Sequence, residues 1–228
     1  MLKRSLLQFA KKRALGTSRT SSACRSTHVD KRTGLPTMVN IQAKIPTERV
    51  AIAESRVFIP RSIALLFQKR RHKSASRIRR DDDLQEAQEH LSAKKGPVLS
   101  TAVIAGTLGT KLTSQLIPFC HPVPLEHCKF NILVSSSSST GQKSKRAELV
   151  IRCLAATTNK TGVEMEAMVG ASTCALTIYD MLKGVDGAQK SGNLFIAKTR
   201  LLWKAGGKSG DIHRKGLIKD NYLNLLFK

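Results

Sequence analysis

One long apolar segment, residues 161–184, most constrains how this chain of 228 residues can fold. Small and aliphatic side chains recur along it at every helical spacing, which predicts an α-helix buried on more than one side. The same segment carries three carboxylates and one amine, on Glu164, Glu166, Asp180 and Lys183. Because a charge on a buried helix is costly unless it is paired or used, the segment is a candidate active-site element.

The spacing of these charges indicates a site shared between subunits. Asp180 and Lys183 are three residues apart and are therefore neighbours on one helix face. Glu166 and Asp180 share roughly one face but lie about 21 Å apart along a straight helix. A single small-molecule site does not easily span that distance, so we expect a homo-oligomer with interfacial sites if both residues serve one site. Alternatively, Glu164 and Glu166 are first-turn acids that the helix dipole favours.

The segment LIPFCHPVPL, at residues 116–125, presents a histidine from a stiff loop. Prolines on both sides of His121 restrict the backbone, and Cys120 precedes it. This arrangement favours a fixed histidine near a site, although a histidine among apolar residues is also typical of a satisfied core residue.

The segment AGGKSG, at residues 205–210, has the composition of a backbone anion site. It combines glycines with one lysine and one serine, but Leu202 stands where a P-loop would need a glycine. Taken alone, it indicates phosphate binding only weakly.

Three segments together resemble the MoaC family, the cyclic pyranopterin monophosphate synthases of molybdenum cofactor biosynthesis. In chain order they are LIPFCHPVPL, TGVEMEA with ALTIYDM, and GGKSG. The resemblance extends over residues 38–211. It includes Lys95-Gly96 followed by TAVIAGTLGTK, and MVNIQAKIPTERVAIA at residues 38–53. The resemblance implies an α+β fold with a ferredoxin-like antiparallel sheet packed by helices. It also implies a homohexamer, assembled as a trimer of dimers with active sites at subunit interfaces.

The activity that this resemblance implies is a lyase reaction. Family members take the cyclised dihydro-GTP made by a radical SAM partner enzyme, rearrange it to cyclic pyranopterin monophosphate and release pyrophosphate. Catalytic roles are implied for Asp180, Lys183, Lys95 and His121. Substrate contacts are implied for Phe119, Cys120, His121, Glu164, Met165, Glu166 and Lys208.

The implied chemistry needs cations for a triphosphate and groups that transfer protons. A lysine that is partly desolvated at an interface can reach a pKa near neutrality, so we expect Lys183 to act as a general acid beside Asp180. No tightly bound cofactor and no structural metal are expected, while Mg²⁺ can accompany the triphosphate. Five cysteines without a CxxC pair are typical of reduced thiols.

An alternative function from a different class follows from the charge and from departures from the family pattern. The net charge is +23, which favours a non-catalytic MoaC-like protein recruited as a basic component of a mitochondrial RNA–protein assembly such as the mitoribosome. The aromatic content of 4% argues against an RNA-stacking platform. The charged positions of the family pattern that are replaced here are Pro97 after Lys95-Gly96, Val103, Leu112, Gln115 and Asn40.

The chain is expected to consist of one domain with extensions. Residues 1–36 are rich in Lys, Arg and Ser and free of acids before Asp30, which is typical of a mitochondrial transit peptide and predicts a matrix location. A basic tail of a cytosolic protein is the alternative. The synthase domain is expected at residues 37–211, with surface insertions at 68–94 and 135–146, followed by an extension at 212–228. No stretch of 18 apolar residues occurs, so no membrane span is predicted.

Overall fold

The computed structural model describes residues 28–66, 96–135, 146–185, 187–207 and 210–214. The helices and strands in these ranges are β1 (Thr47–Pro60), α1 (Arg61–Leu66), α2 (Val98–Lys111), α3 (Thr113–Leu116), β2 (His127–Ser135), β3 (Arg146–Asn159), α4 (Glu164–Lys183), β4 (Phe195–Ala205) and β5 (Ile212–His213). The predicted insertion at 68–94 lies outside the described residues. So do residues 136–145 of the second insertion, residues 1–27, and the C-terminal extension beyond residue 214.

The strands form a sheet in the order β2-β3-β1-β4-β5, and every neighbouring pair is antiparallel. β1 lies at the centre and pairs with β3 along its full length, from Thr47 opposite Asn159 to Pro60 opposite Arg146. The succession β1-α2-β2-β3-α4-β4 is the βαββαβ arrangement of the ferredoxin-like fold. The prediction of an α+β fold with a ferredoxin-like antiparallel sheet is therefore confirmed.

Helix α4 lies on the sheet through a stripe of small and aliphatic side chains. Its buried residues recur every three or four positions, so one face of the helix is apolar from Ala167 to Leu182, with Glu166 at its amino-terminal end. They meet side chains of β1 and β3 that alternate toward the helices. Fully burying one aliphatic side chain such as Ile178 or Leu182 contributes about 1.5–3 kcal/mol. This packing fixes where the two ends of α4 stand above the sheet.

Helices α2 and α4 cross closely because glycines face each other at their contact. A Cβ at Gly106 would lie 3.0 Å from the Cβ of Cys174, and a Cβ at Gly170 would overlap the hydroxyl of Thr110. Residue numbers rise along α2 as they fall along α4, so the two helices are antiparallel. The first turn of α2 therefore lies beside the last turn of α4, where Val98 and Leu182 belong to one core cluster.

None of the helices described by the structure is long and apolar enough to cross a membrane.

Candidate active site

Helix α4 divides the expected site residues into two groups. It runs without interruption from Glu164 to Lys183, so Glu166 and Asp180 stand near opposite ends, about 21 Å apart along the axis. We call the residues around Glu166 the amino-terminal group and those around Asp180 the carboxy-terminal group. A single chain does not bring the two groups together.

The amino-terminal group is assembled where the loop after α3 meets the first turn of α4. Burial raises the pKa of the Cys120 thiol, and the nearby charge of Glu166 raises it further. Two segments that are 46 residues apart in the chain are therefore close in space, because electrostatic coupling of this kind acts over short distances. The loop residue Phe119 and the helix residue Met165 are 38% and 36% exposed, which leaves an apolar rim open to solvent.

The loop that carries the expected histidine is held by the N-terminal part of the described chain. The ring of Phe119 lies 6.3 Å from the ring of His28. His121 itself is half-buried within the loop. Prolines 118, 122 and 124 flank it and restrict the backbone of the loop.

Glu166 is the most perturbed carboxyl group of this site. Its side chain belongs to a residue that is 4% exposed, in the first turn of α4. Burial raises the pKa of Glu166 to about 7, and the charge of Glu164 adds to the rise. A carboxyl group with this pKa can donate or accept a proton at neutral pH, which is what general acid–base chemistry needs.

Glu164 is paired with a lysine that the sequence analysis did not single out. Lys204 Nζ lies 2.9 Å from Glu164 Oε1, with 15% of the lysine side chain and 30% of the glutamate side chain exposed. Lys204 stands on β4 one residue before the AGG turn. Lys204 faces α4 because the β1–β4 pairing has a bulge at Leu202, so simple strand alternation did not predict its position. It adds a half-buried cation to the amino-terminal group.

The glycine turn after β4 closes against the start of β1. Gly206 and Gly207 have φ values of 91° and 90°, which non-glycine residues rarely adopt. The Gly206 N–H donates to Asp211 Oδ1 at 3.0 Å, and a Cβ on Gly207 would overlap the guanidinium of Arg49. Lys208, expected to bind phosphate, lies outside the described residues.

Arg49 is a second cation at this end of the sheet that the sequence analysis did not select. Its Nε donates to the carbonyl oxygen of Asn159 at 3.2 Å, which orients the guanidinium at the end of β3. The sequence signal for Arg49 was its place in the family-like segment at residues 38–53, where it follows a threonine and a glutamate. Arg49 places positive charge next to the glycine turn that follows β4.

The carboxy-terminal group lies in solvent when one chain is considered alone. Lys183 Nζ lies 2.5 Å from Asp180 Oδ1, and the two side chains are 51% and 68% exposed. The hydrogen bond to Asp180 and its charge raise the pKa of Lys183. In the single chain the amine is exposed and faces a carboxylate. The expected partial desolvation of Lys183 belongs to a subunit interface and stays a prediction.

Lys95 lies outside the described residues. Gly96, the next residue, is described with a φ of 75° and lies two residues before the start of α2 at Val98. Because α2 begins beside the last turn of α4, the chain immediately after Lys95 lies at the same end of the helices as Asp180 and Lys183.

Among the residues that the structure describes, no three or more His, Cys, Asp and Glu side chains are grouped so that they could hold a metal ion.

Known proteins resemble this chain along most of its length. The MoaC family profile matches residues 38–207. "Molybdenum cofactor biosynthesis protein 1" of Dictyostelium discoideum is 41% identical over 182 residues, which are 80% of this chain and 26% of the relative. "Cyclic pyranopterin monophosphate synthase" of Xanthomonas oryzae pv. oryzae is 41% identical over 188 residues, 82% of this chain and 93% of the relative. A "Molybdenum cofactor biosynthesis bifunctional protein" of Synechocystis is 39% identical over 183 residues, 80% of this chain and 44% of the relative. The chain thus spans nearly all of the Xanthomonas protein but under half of the other two.

Proposed function

Because the chain belongs to the MoaC family, we propose that it is a cyclic pyranopterin monophosphate synthase. It converts the cyclised dihydro-GTP intermediate to cyclic pyranopterin monophosphate and releases pyrophosphate, as a step of molybdenum cofactor biosynthesis. The observation that carries this proposal is the buried Glu166 at the head of α4, set beside Cys120 of the loop after α3.

The charges of the amino-terminal group suit a substrate that carries a triphosphate. Arg49 supplies positive charge at the end of the sheet, Lys204 is paired with Glu164, and the glycine turn leads directly to Lys208. Preorganised cations of this kind stabilise departing pyrophosphate because they need not reorient as charge develops. Mg²⁺ can accompany the triphosphate as part of the substrate.

Proton transfers during ring opening and closing need groups that change charge near neutral pH. Glu166 has this property in the single chain, since its pKa is about 7. Asp180 and Lys183 form a second acid–base pair at the far end of α4. A neighbouring subunit that covers Lys183 would remove water from the amine and oppose the rise in its pKa.

The complete site takes one group from each of two chains. The distance of about 21 Å along α4 separates the groups within a chain, so a second copy supplies the missing half. An exposed apolar stripe runs along α2 and α3 and offers a surface for association. It consists of Ile104, Leu108, Leu112 and Leu116, with exposures of 63%, 53%, 43% and 59%. We propose a homohexamer built as a trimer of dimers, which receives its substrate from a radical SAM enzyme in the mitochondrial matrix.

The direct test supplies the purified chain with the cyclised dihydro-GTP intermediate. Pyrophosphate and cyclic pyranopterin monophosphate are measured by mass spectrometry, and the wild-type chain is expected to form both in equal amounts. Asp180→Asn should lower turnover by about 100-fold or more, because it removes a proton-transfer group. Lys198→Ala, at an exposed position in the middle of β4, is the control and should retain turnover. A folded wild-type oligomer without turnover would contradict the proposal.

A further inference from the structure

Two cysteine side chains on adjacent strands meet at the crossing of α2 and α4. Cys128 lies on β2 and Cys153 on β3, and the hydroxyl of Thr110 is 3.8 Å from the first sulfur and 3.7 Å from the second. Cys128 stands opposite Ala155, so Cys153 is its diagonal neighbour across the two strands. Both cysteines are free.

The two thiols differ in access and in acidity. Cys128 is half-buried, whereas Cys153 is fully buried. A hydrogen bond with Cys153 lowers the pKa of Cys128 to about 7, with further lowering by Thr110 and by the charge of Lys111 against the effect of burial. The same hydrogen bond and burial raise the pKa of Cys153 well above its usual value.

The other described cysteines lack these features. Burial raises the pKa of Cys174 to about 12, and burial together with the charge of Glu166 raises the pKa of Cys120. Since the thiolate is the nucleophile, Cys128 is expected to react first among the cysteines that the structure describes. Its diagonal neighbour Cys153 is the thiol that hydrogen-bonds to it.

We propose that Cys128 and Cys153 form an oxidative modification site, in which Cys128 reacts with peroxide and Cys153 resolves the product to a reversible intramolecular disulfide. The Cys128 thiolate attacks one oxygen of hydrogen peroxide, the O–O bond breaks, and Cys128 becomes a sulfenic acid while hydroxide leaves. The sulfur of Cys153 then attacks the sulfenic sulfur, and the thiol proton leaves with the hydroxyl group as water. In total, two thiols and one peroxide give one disulfide and two waters.

The register of the strands makes this disulfide strained and therefore reducible. Diagonal neighbours on antiparallel strands usually have Cα atoms about 7–8 Å apart, whereas disulfides favour about 4.4–6.8 Å. Closure thus requires β2 and β3 to shift against each other. It also removes the thiol contacts of Thr110, which donates to the carbonyl oxygen of Gly106 at 2.9 Å within the helix crossing.

Peroxide treatment of the full chain tests the proposal without any activity assay. After exposure to hydrogen peroxide, remaining thiols are alkylated and the chain is digested with trypsin and with a protease that cleaves after glutamate. Cleavage after Glu126 separates Cys120 from Cys128. The expected product is residues 127–129 linked to residues 153–160, two hydrogens lighter than the separate peptides and released by dithiothreitol. Oxidation that begins at Cys120, Cys174 or Cys24 would overturn the proposal.

Variants separate the two roles. Cys128→Ser should abolish the linked peptide, and Cys174→Ser, the matched control, should retain it. Cys153→Ala should leave a sulfenic acid on Cys128 that dimedone traps. If that variant fails to fold, alkylation rates in the wild-type chain show whether Cys128 is the more reactive thiol. Cys128 is expected to react about tenfold faster than Cys120 at pH 7. Equal rates, or a Cys128 that is overoxidised while Cys153 stays free, would contradict the proposal.

Discussion

At Glu166, the free energy of burying a carboxylate opposes the stability of the fold. The residue is 4% exposed, and burial raises the pKa of its carboxyl group from 4.5 to about 7. The folded chain therefore keeps a proton there that the unfolded chain releases. Between these two pKa values the unfolded state binds fewer protons, so the free energy of unfolding falls as pH rises. Above pH 7 the fold bears the full free-energy cost of a buried, ionised Glu166.

Glu166→Gln should therefore stabilise the fold at high pH. The amide carries no charge, so the free energy of unfolding is expected to rise on the order of 3 kcal/mol above pH 7, with no difference from the wild type below pH 4.5. Urea unfolding of both chains at pH 5 and pH 8 measures the effect. Glu126→Gln, at an exposed position, is the control. A gain that is equal at both pH values would show that Glu166 is ionised in the fold throughout.

Sequence reasoning located Glu164 and Glu166 because acids stand out within an apolar helix. It did not identify Lys204, because its partner Glu164 lies 40 residues away and only the contact of β4 with α4 brings them together. It also did not predict that Lys183 is exposed in the single chain. Periodicity predicts that a helix is buried, but it does not tell whether a residue near the helix end contacts its own chain or a neighbouring one.

Within the sheet, a buried carboxylate joins three strands on the face away from α4. Glu54 of β1 is 1% exposed, and its two oxygens accept from three guanidinium groups at 2.8–3.0 Å. These belong to Arg56, Arg152 and Arg200, on β1, β3 and β4. Burial alone would raise the pKa of Glu54, but the arginine hydrogen bonds outweigh it and lower the pKa. The charge is thus compensated where water is excluded.

Glu54→Gln should strongly destabilise the chain at neutral pH. The amide leaves three arginines with only the carboxylate of Glu148, which is bonded to Arg56, as a countercharge. Removing one partner of a buried ion pair costs about 3–5 kcal/mol. Because the pKa of Glu54 is lowered in the fold, its contribution is present above pH 4.5 and is lost as pH falls further. Denaturant unfolding at pH 7 measures the loss, with Glu126→Gln as the matched control. Wild-type stability in the Glu54 variant would mean that the arginines are solvated.

The elements were easier to predict than their contacts. The apolar segment at residues 161–184 predicted α4, which spans Glu164–Lys183, and the family resemblance implied the sheet. The partners of Glu54 could not be predicted, because Arg152 and Arg200 lie 98 and 146 residues away in the chain. The bulges of the β1–β4 pairing, between Ile52 and Ala53 and between Arg56 and Val57, also left no pattern in the sequence. Such contacts depend on register, which a single strand does not encode.

Across the whole molecule, the two groups of the proposed site lie too far apart along α4 to meet within one chain. α4 is straight enough to hold Glu166 and Asp180 about 21 Å apart, and α2 runs antiparallel beside it. Each chain therefore presents one amino-terminal group and one carboxy-terminal group to its surroundings. If two copies associate so that each completes the other, every site contains one group from each copy, and inactive variants become complementary.

Mixed oligomers test this arrangement directly. Glu166→Gln and Asp180→Asn should each be inactive alone, because each damages every site of its own oligomer. When the two are co-expressed with different tags and co-purified, random pairing leaves about a quarter of the sites with both groups intact. Turnover should recover to that fraction of the wild type. Pairing Asp180→Asn with Lys183→Ala damages the same group on both chains and should give no recovery. If the first mixture also stays inactive while the subunits are shown to exchange, the two groups act within one chain, and α4 must then change conformation to bring them together.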